Sequence, residues 1–387
     1  MRRVLRLLLV LLVSAWFQGD TLSPAETRNS SYILYVGTYT KAESKGIYGY
    51  RFDAASGQLS SLGLEAETVN PSFLTADGAR GFLYAVNEVP QYMGAQGGAV
   101  TAFAIDRPSG KLSRLNDTSS RGADPCYISL DKAGHYVLVA NYTGGNVAAL
   151  PVLKDGRLAA ASAFRQDSGS GPNHERQEGP HAHWIETTAD NRFALVADLG
   201  IDKILVYHFD PGSGALTPNE PPAANLQAGA GPRHLAFAPD EKFAYVIDEL
   251  QSSITAFAYA SAQGRLGAFQ TISTLPKDFH GRNTAAEIQV HPSGKFLYAS
   301  NRGDDSIAAF SIDQSTGHLT LIGHFKSGGK TPRHFAFDPT GTRLLVANQE
   351  SSNIVLFNID RTSGNLTQKS QINNVPSPVC LLFVAAE

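Results

Sequence analysis

The chain has 387 residues, of which 42% are hydrophobic and 17% are charged, and its formal net charge is −3. These values are typical of a globular protein that buries a core. They exclude the strongly basic balance by which many nucleic-acid-binding proteins attract their ligands. No nucleic-acid partner is therefore expected.

The first 20 residues differ from the rest of the chain. Arg2, Arg3 and Arg6 precede an apolar run at residues 7–13, and the small residue Ala15 follows. A basic start, a short apolar core and small residues are the pattern of a secretion signal. The run is shorter than the ~20 residues that span a bilayer. We expect residues 1–20 to be a signal peptide and the mature protein to be periplasmic or secreted; an uncleaved membrane tether is the alternative.

Short apolar or alternating segments, which predict β-strands, follow at residues 32–38, 47–52 and 59–64. From residue 71 a four-strand unit begins, with strands predicted at 72–76, 82–87, 99–105 and 112–115. Asp, Gly, Pro and Ser separate these strands and mark turns. After residue 30 the sequence shows no convincing helical period.

The four-strand unit then repeats. It starts again at residues 125, 180, 232, 285 and 332, and its first strand alone recurs at 378. Starts 46 to 55 residues apart, with four strands each, favour a β-propeller. The last unit lacks three strands, and the three N-terminal strands supply them. The sequence thus predicts an all-β, seven-bladed propeller over residues 31–387, with four antiparallel strands per blade, closed by pairing of the N-terminal strands with the C-terminal strand.

The two cysteines, Cys126 and Cys380, both fall on first strands, in blades that are not adjacent. Their positions relative to the preceding proline differ by one, so their side chains are expected on opposite sides of their strands. A disulfide needs Cα atoms within ~7 Å. We therefore predict two buried thiols and no disulfide.

The repeat also predicts where polar residues meet. The first two strands of a blade form an antiparallel hairpin, so the start of the first and the end of the second lie at the same end of the ring. In the unit from 232, Arg233 and His234 open the first strand, and Asp248 and Glu249 close the second. A polar crown is therefore expected at one mouth of the central channel, while the other face carries tight turns.

Several residues of this crown have a structural interpretation. A repeated Asn or Asp at the strand ends is expected to bond neighbouring backbone, and it occurs at Asn87, Asn141, Asp198, Asp248, Asn301 and Asn348. Residues that break the repeat are better functional candidates, namely Glu249, Glu287, Arg302, His181 and His183. The pair His181 and His183 could share a zinc ion, but no further His or Cys pair completes a site, so no metal is expected. An insertion at 168–179, which contains His174, reaches the same mouth as a solvated loop or a lid.

Three motifs carry a resemblance to a known family. GPRHLAFAPDEKFAYVIDEL at 231–250, YVGTYT at 35–40 and FLYASNRG at 296–303 resemble the seven-bladed lactonases, which include propeller-type 6-phosphogluconolactonases and the carboxymuconate lactonizing enzyme. The resemblance implies a lactone-handling site at the channel mouth without a metal or other cofactor. It places the functional histidine at His181 or His183, the glutamate at Glu249 and the arginines at Arg233 and Arg302.

The resulting hypothesis is a hydrolase of sugar-derived lactones. Glu249 is the predicted general base and His181 or His183 the second proton-transfer group. The predicted substrate-binding residues are Arg233, His234, Glu287, Arg302 and Arg333. The alternatives are a non-catalytic propeller that binds an anion or carbohydrate or serves as an interaction platform, and a lactonizing enzyme. Which lactone is used, and whether it is phosphorylated, stays open.

Overall fold

Residues 31–41 and 43–386, which the computed structural model describes, form seven four-stranded antiparallel sheets, the blades of a propeller. A two-stranded hairpin is added to the first blade. The all-β, seven-bladed prediction is confirmed. The predicted signal peptide at residues 1–20 lies outside the described residues.

The N-terminal strands are β1 (Ser31–Thr38), β2 (Gly46–Asp53) and β3 (Leu59–Glu67). Blade 1 contains β4 (Leu74–Asp77), β5 (Phe82–Asn87), β8 (Ala99–Ile105) and β9 (Leu112–Ser119), with the added hairpin β6 (Gln91–Tyr92) and β7 (Ala95–Gln96). Blade 2 contains β10 (Pro125–Leu130), β11 (Tyr136–Asn141), β12 (Asn146–Pro151) and β13 (Ala163–Gln166). Blade 3 contains β14 (Ala182–Thr187), β15 (Phe193–Asp198), β16 (Lys203–Phe209) and β17 (Leu216–Asn225).

Blade 4 contains β18 (Pro232–Phe237), β19 (Phe243–Asp248), β20 (Ser253–Ala260) and β21 (Arg265–Ser273). Blade 5 contains β22 (Thr284–Val290), β23 (Phe296–Arg302), β24 (Ser306–Ile312) and β25 (Leu319–Lys326). Blade 6 contains β26 (Pro332–Phe337), β27 (Arg343–Asn348), β28 (Asn353–Ile359) and β29 (Leu366–Asn373). The last strand is β30 (Pro378–Ala385).

The ring closes as the sequence predicts. Strand β30 pairs antiparallel with β1, from Tyr32 opposite Ala385 to Thr38 opposite Pro378. Strands β30, β1, β2 and β3 therefore form blade 7. Pairing the two ends of the chain in one sheet leaves no terminal blade to be capped.

Three local features differ from the predicted elements. Strand β4 begins at Leu74 rather than at residue 72, because the Ser72 N–H donates to Asn70 O within a turn. The hairpin β6–β7 was not predicted. A short 3-10 helix, Leu199–Ile201, follows β15, and the Asp198 side chain caps it by accepting from Gly200 N. No helix within residues 31–41 and 43–386 is long and apolar enough to cross a bilayer.

Buried tyrosines on second strands or on β1 tie neighbouring blades together. Tyr245 Oη donates to Gly317 O at 2.9 Å, across the boundary between blades 4 and 5. Gly317 has φ +75°, and a Cβ there would lie 2.4 Å from the Phe243 ring, so glycine suits this turn on both counts. Equivalent bonds to glycine carbonyls are made by Tyr35, Tyr84 and Tyr298. Each such bond contributes roughly 1 kcal/mol.

A β-bulge near the start of six of the seven innermost strands, all except β4, determines where the polar side chains point. In β18, Pro232 pairs with Asp248 and His234 with Ile247, so Arg233 is the extra residue. The same shift occurs in β10, β14, β26 and β30, and the extra residues are Cys126, His183, Arg333 and Val379. In β22, Ala286 and Glu287 are the unpaired residues between two pairs. Bulges redirect side chains and are common beside active sites.

Candidate active site

The repeated Asn and Asp at the ends of the second strands are structural, as predicted. Asn141 Nδ2 donates to Ser120 O at 2.9 Å, and Asn301 Nδ2 donates to Thr274 O at 2.8 Å. Asp248 Oδ2 accepts from the hydroxyls of Ser253 and Thr255, at 2.8 Å each. These Asn and Asp side chains hold the strand ends in place. They therefore also position the residue that follows each strand end.

A pocket of about 340 Å³ opens at the mouth of the ring. Five of its lining residues directly follow a strand end or lie at it, namely Tyr39, Glu88, Tyr142, Glu249 and Arg302. Three are bulge residues, namely Cys126, His183 and Arg333. The last is Arg176, from the insertion at 168–179. We call this cavity the mouth pocket.

Glu249 is the centre of an ion-pair cluster in the mouth pocket. Its Oε1 accepts from Arg176 Nη2 at 2.7 Å, and its Oε2 lies 2.9 Å from Arg302 Nη2 and 3.2 Å from Arg233 Nε. Burial of the side chain would raise the pKa of Glu249, but Arg302 and Arg233 outweigh it and hold the pKa well below its usual range. Glu249 is therefore a carboxylate with low basicity, and it holds three guanidinium groups in place.

A second network forms the opposite wall of the mouth pocket. Arg333 Nη2 donates to Tyr39 Oη at 2.7 Å, and Tyr39 Oη lies 2.8 and 2.9 Å from the two carboxylate oxygens of Glu88. The Arg333 guanidinium also lies over the Tyr39 ring, 5.1 Å from its centroid. Arg333 is thus held in one orientation while its guanidinium borders the pocket.

The two candidate histidines occupy different environments. The His183 side chain lines the mouth pocket, and its Nδ1 has no hydrogen-bond partner among the described residues. Burial, with Arg233 adding to it, places the pKa of His183 well below its usual range, so the ring is neutral at pH 7. His181 stacks on Tyr142 with ring centroids 4.5 Å apart, and its ring nitrogens contact Tyr142 O and Glu178 Oε1. Of the two, only His183 lines the mouth pocket, so it is the candidate for proton transfer.

Residues near the start of the innermost strands line a second cavity. This axial channel has a volume of about 440 Å³ and includes one residue from each blade, namely Phe73, Tyr127, Trp184, His234, Glu287, His334 and Cys380. It also includes Lys132 and Glu241, which lie near the turns of the opposite face. His234 and Glu287, predicted to bind substrate, therefore line the axial channel and not the mouth pocket.

Arg233 lies between the two cavities. Its Nε faces Glu249, and its Nη1 donates to Ala286 O at 2.6 Å and lies 3.2 Å from His234 Nε2. The side chain is 3% exposed. Burial, followed by the nearby Arg302 and Arg333, lowers the pKa of Arg233 to about 10.

The insertion at 168–179 is anchored next to the mouth pocket. Gln177 is fully buried, and its Nε2 donates to Leu199 O at 2.8 Å and to Asp202 Oδ1 at 2.7 Å. The neighbouring residue Arg176 then reaches Glu249 and also Tyr142 Oη, at 3.1 Å. His174 of the same loop is exposed and does not line the pocket. The loop contributes Arg176 to the site, which the repeat could not reveal because the insertion lies outside it.

The two cysteines lie in different cavities of the ring. Cys126 and Cys380 are free and buried, as predicted. Cys126 faces the mouth pocket and Cys380 the axial channel. Across residues 31–41 and 43–386, no group of three or more His, Cys, Asp or Glu side chains is arranged to hold a metal ion.

Residues 33–383 match the family model described as lactonase, 7-bladed beta-propeller. The chain belongs to the seven-bladed β-propeller lactonase family. It is 39% identical over 355 residues to a 6-phosphogluconolactonase of Bacillus subtilis (strain 168), covering 92% of this chain and 99% of that relative. A 6-phosphogluconolactonase of Formosa agariphila is 34% identical over 309 residues, covering 79% of this chain and 86% of the relative.

A solved structure of the family extends the comparison. The periplasmic gluconolactonase PpgL of Pseudomonas aeruginosa superposes on this lactonase-family chain with a TM-score of 0.86 at 36% identity, covering 92% of this chain and 100% of that one. Relatives that are named as lactone-hydrolysing enzymes thus cover nearly the whole propeller. The match includes the strands that form both the mouth pocket and the axial channel.

Proposed function

We propose that this protein hydrolyses a sugar-derived lactone in the mouth pocket. One observation carries the proposal: a neutral imidazole, on His183, borders the same pocket as the guanidinium groups of Arg176, Arg302 and Arg333. Lactone hydrolysis needs a proton acceptor for water and positive charge for the developing oxyanion. The relatives named as lactonases support the same reaction.

In the proposed mechanism, His183 accepts a proton from water as the water oxygen attacks the lactone carbonyl carbon. The carbonyl oxygen gains negative charge, which the neighbouring guanidinium groups stabilise through directed N–H donors. The bond between the carbonyl carbon and the ring oxygen then breaks. Protonated His183 returns its proton to the ring oxygen. The new carboxyl group releases the second proton of the water to solvent, and the open hydroxy acid leaves as its carboxylate.

Glu249 has a different part in this mechanism from the general base predicted from sequence. Both of its oxygens contact guanidinium groups, and its pKa lies well below the usual range, so it is a weak proton acceptor. We assign it to holding Arg176, Arg233 and Arg302 in position. The proton-transfer role falls to His183, one of the two histidines predicted.

The charge of the site favours an anionic lactone. Arg176, Arg233, Arg302 and Arg333 face two carboxylates, Glu88 and Glu249. Guanidinium groups bind phosphate and carboxylate in bidentate geometry. We therefore propose that a phosphorylated or carboxylated lactone is preferred over a neutral one.

The direct experiment measures acid release in a pH-stat with δ-gluconolactone and with its 6-phosphate. The proposal expects turnover of at least one of them above the spontaneous rate, with the phosphorylated lactone preferred in kcat/KM. A protein that binds 6-phosphogluconate but accelerates neither hydrolysis is instead the non-catalytic anion-binding propeller. Formation of a lactone from an open acid would indicate the lactonizing alternative.

We also propose that the mature protein is exported. The basic and apolar pattern of residues 1–20 supports this, as does the periplasmic location named for the Pseudomonas aeruginosa relative. Cell fractionation with N-terminal sequencing of the recovered protein tests it. Recovery of full-length protein from the cytoplasm would contradict it.

A further inference from the structure

Glu287 lies in the axial channel, separated from the mouth pocket by one guanidinium group. Its side chain is 6% exposed. It is one of the two unpaired residues at the bulge of β22 and projects into the channel beside His234 and His334. The lactonase mechanism above does not use it. A buried carboxyl group with no role in the reaction needs an explanation of its own.

The hydrogen bonds around Glu287 fix the state of both histidines. Leu381 N–H donates to His334 Nδ1 at 3.2 Å, so the proton of that neutral ring is on Nε2, which lies 3.6 Å from Glu287 Oε2. Arg233 Nη1, which can only donate, lies 3.2 Å from His234 Nε2, so the proton of the second ring is on Nδ1. His234 Nδ1 lies 3.1 Å from the same Glu287 Oε2. Two N–H groups thus face one oxygen of the Glu287 carboxyl group, and the N–H of His234 is within hydrogen-bond distance of it.

The chain of contacts continues into the mouth pocket. Glu287 Oε2 holds His234, His234 Nε2 accepts from Arg233, and Arg233 Nε faces Glu249 Oε2 at 3.2 Å. Arg233 Nε has no hydrogen-bond partner among the described residues. The hydrogen bonds that orient Arg233 are therefore those of Nη1 with Ala286 O and His234 on the channel side, while Nε contributes an ion pair with Glu249.

We propose that Glu287 is a positioning residue that acts through His234 on Arg233, and that ionisation of this channel carboxyl group weakens anion binding in the mouth pocket. The inference rests on the proposed function in one respect, namely that the mouth pocket binds an anion. It adds a residue outside the pocket that controls the positive field within it.

Among the titratable groups in this part of the axial channel, Glu287 is the one that titrates near neutral pH. Burial raises the pKa of Glu287 to about 8, although Arg233 opposes this. Burial places the pKa of His234 well below its usual range and lowers that of His334 to about 3, and it raises those of Tyr127 and Cys380. Glu186 stands across the channel and accepts from Tyr127 Oη at 2.6 Å. Between pH 7 and 9 the channel therefore gains its negative charge at Glu287.

The sign of the effect follows from Coulomb's law. Below its pKa, Glu287 is neutral and the guanidinium groups of the mouth pocket act on the ligand undiminished. Above it, the carboxylate offsets part of that positive field. A unit charge roughly 10 Å from a bound anion, at an effective dielectric constant of about 20, changes affinity by about tenfold.

The test measures the Kd of 6-phosphogluconate by calorimetry between pH 7 and 9, for the full protein and for Glu287→Gln. The amide resembles the neutral carboxyl group, so the variant should match the wild type at pH 7. The Kd of the variant should then stay constant up to pH 9, while the wild-type affinity falls by about tenfold. A matched control is Glu186→Gln, which removes another channel carboxylate without contact to Arg233 and should retain the wild-type slope. Glu287→Ala removes the acceptor for His234 and should bind severalfold more weakly than Glu287→Gln at every pH.

The outcomes separate the inference from the proposed function. If Glu287→Gln keeps the wild-type slope, or if Glu287→Ala binds as tightly as Glu287→Gln, Glu287 does not act on Arg233. Absence of 6-phosphogluconate binding by the wild type at every pH also contradicts the inference. Binding with the expected slope, but without lactone turnover, contradicts the proposed function and leaves the inference standing. Circular dichroism of each variant confirms that it is folded.

Discussion

The mouth pocket and the axial channel are built from adjacent residues of the same strands, yet they differ in chemistry. Arg333 borders the mouth pocket and Arg233 pairs with Glu249 beneath it, while His234 and His334, one residue later, line the channel. The bulges in β18 and β26 give both residues of each pair access to the ring interior. A one-residue step along the chain thus separates a cationic pocket from an aromatic and acidic one.

The two regions should therefore accept different ligands. Four guanidinium groups face two carboxylates at the mouth, whereas Glu186, Glu241 and Glu287 face Lys132 in the channel. An anionic lactone is attracted to the first and repelled by the second. We therefore assign lactone hydrolysis to the mouth pocket. The axial channel positions Arg233 and modulates the positive charge that acts on the ligand. The following substitutions test that division.

The largest effect is expected from His183→Asn. It removes the proposed proton acceptor, and loss of a general base typically lowers the rate by ~10²–10⁴-fold. The measurement is kcat on the best lactone substrate in a pH-stat. His181→Asn is the matched control, because its ring is engaged with Tyr142 and Glu178 and it should lose less than about tenfold. Equal losses for the two variants would contradict the assignment to His183.

Glu249→Gln should destabilise the protein and also lower its activity. The substitution leaves three guanidinium groups without their shared carboxylate, and breaking a buried ion pair in this way costs about 3–5 kcal/mol. Chemical denaturation at pH 7 measures the loss, and added sulfate should restore part of it by binding the arginines. Because the pKa of Glu249 is lowered in the folded protein, its contribution to the free energy of unfolding is complete above its pKa in the unfolded chain. That contribution is lost as pH falls through its pKa in the folded protein. Unchanged stability would show that the ion-pair cluster is not formed.

Arg176→Gln should affect the binding of anionic lactones selectively. The side chain reaches the mouth pocket from the anchored insertion, and it is the most exposed of the arginines paired with Glu249. We expect KM for a phosphorylated lactone to rise about tenfold, from the loss of one charge-assisted contact, with little change for a neutral lactone. Lys132→Gln, in the channel, should change neither value. A uniform loss on both lactones would mean that Arg176 does not recognise the anion.

The last effect concerns stability at different pH values. Burial raises the pKa of Glu287 to about 8, above its value in the unfolded chain. Its contribution to the free energy of unfolding is therefore complete below the unfolded pKa and is lost as pH rises through about 8. Between about pH 5 and 8 the wild type should lose up to about 1.4 kcal/mol per pH unit relative to Glu287→Gln. Denaturation curves at several pH values measure this difference. Parallel profiles for the two proteins would place the Glu287 pKa at its ordinary value.

The repeat made the fold and the location of the site predictable. It gave the number of blades, the closure by β1 and β30, and the meeting of Arg233 with Glu249 at one mouth. It did not give the bulges, because an extra residue within a strand leaves the spacing of the repeat unchanged. His183 is the unpaired residue after Ala182, which pairs with Asp198, just as Arg233 is the unpaired residue after Pro232, which pairs with Asp248. An alignment of the blade 3 unit on Pro180 puts His181 at the position of Arg233. An alignment on the strand ends puts His183 there.

Two parts of the site lay beyond the repeat. Arg176 comes from an insertion whose position over the pocket depends on the buried Gln177, and no periodic signal marks such an anchor. Tyr39 follows an N-terminal strand, and its contacts with Glu88 and Arg333 join residues from blades 7, 1 and 6. Side-chain pairing between distant blades depends on the curvature of the ring, which the spacing of the strands does not specify.

The most direct test of the division between the two cavities is a crystal structure with a bound hydroxy acid, such as 6-phosphogluconate. The account predicts electron density in the mouth pocket, with the ligand in contact with His183 and at least two of Arg176, Arg302 and Arg333. Density in the axial channel beside Glu287, with an empty mouth pocket, would contradict it.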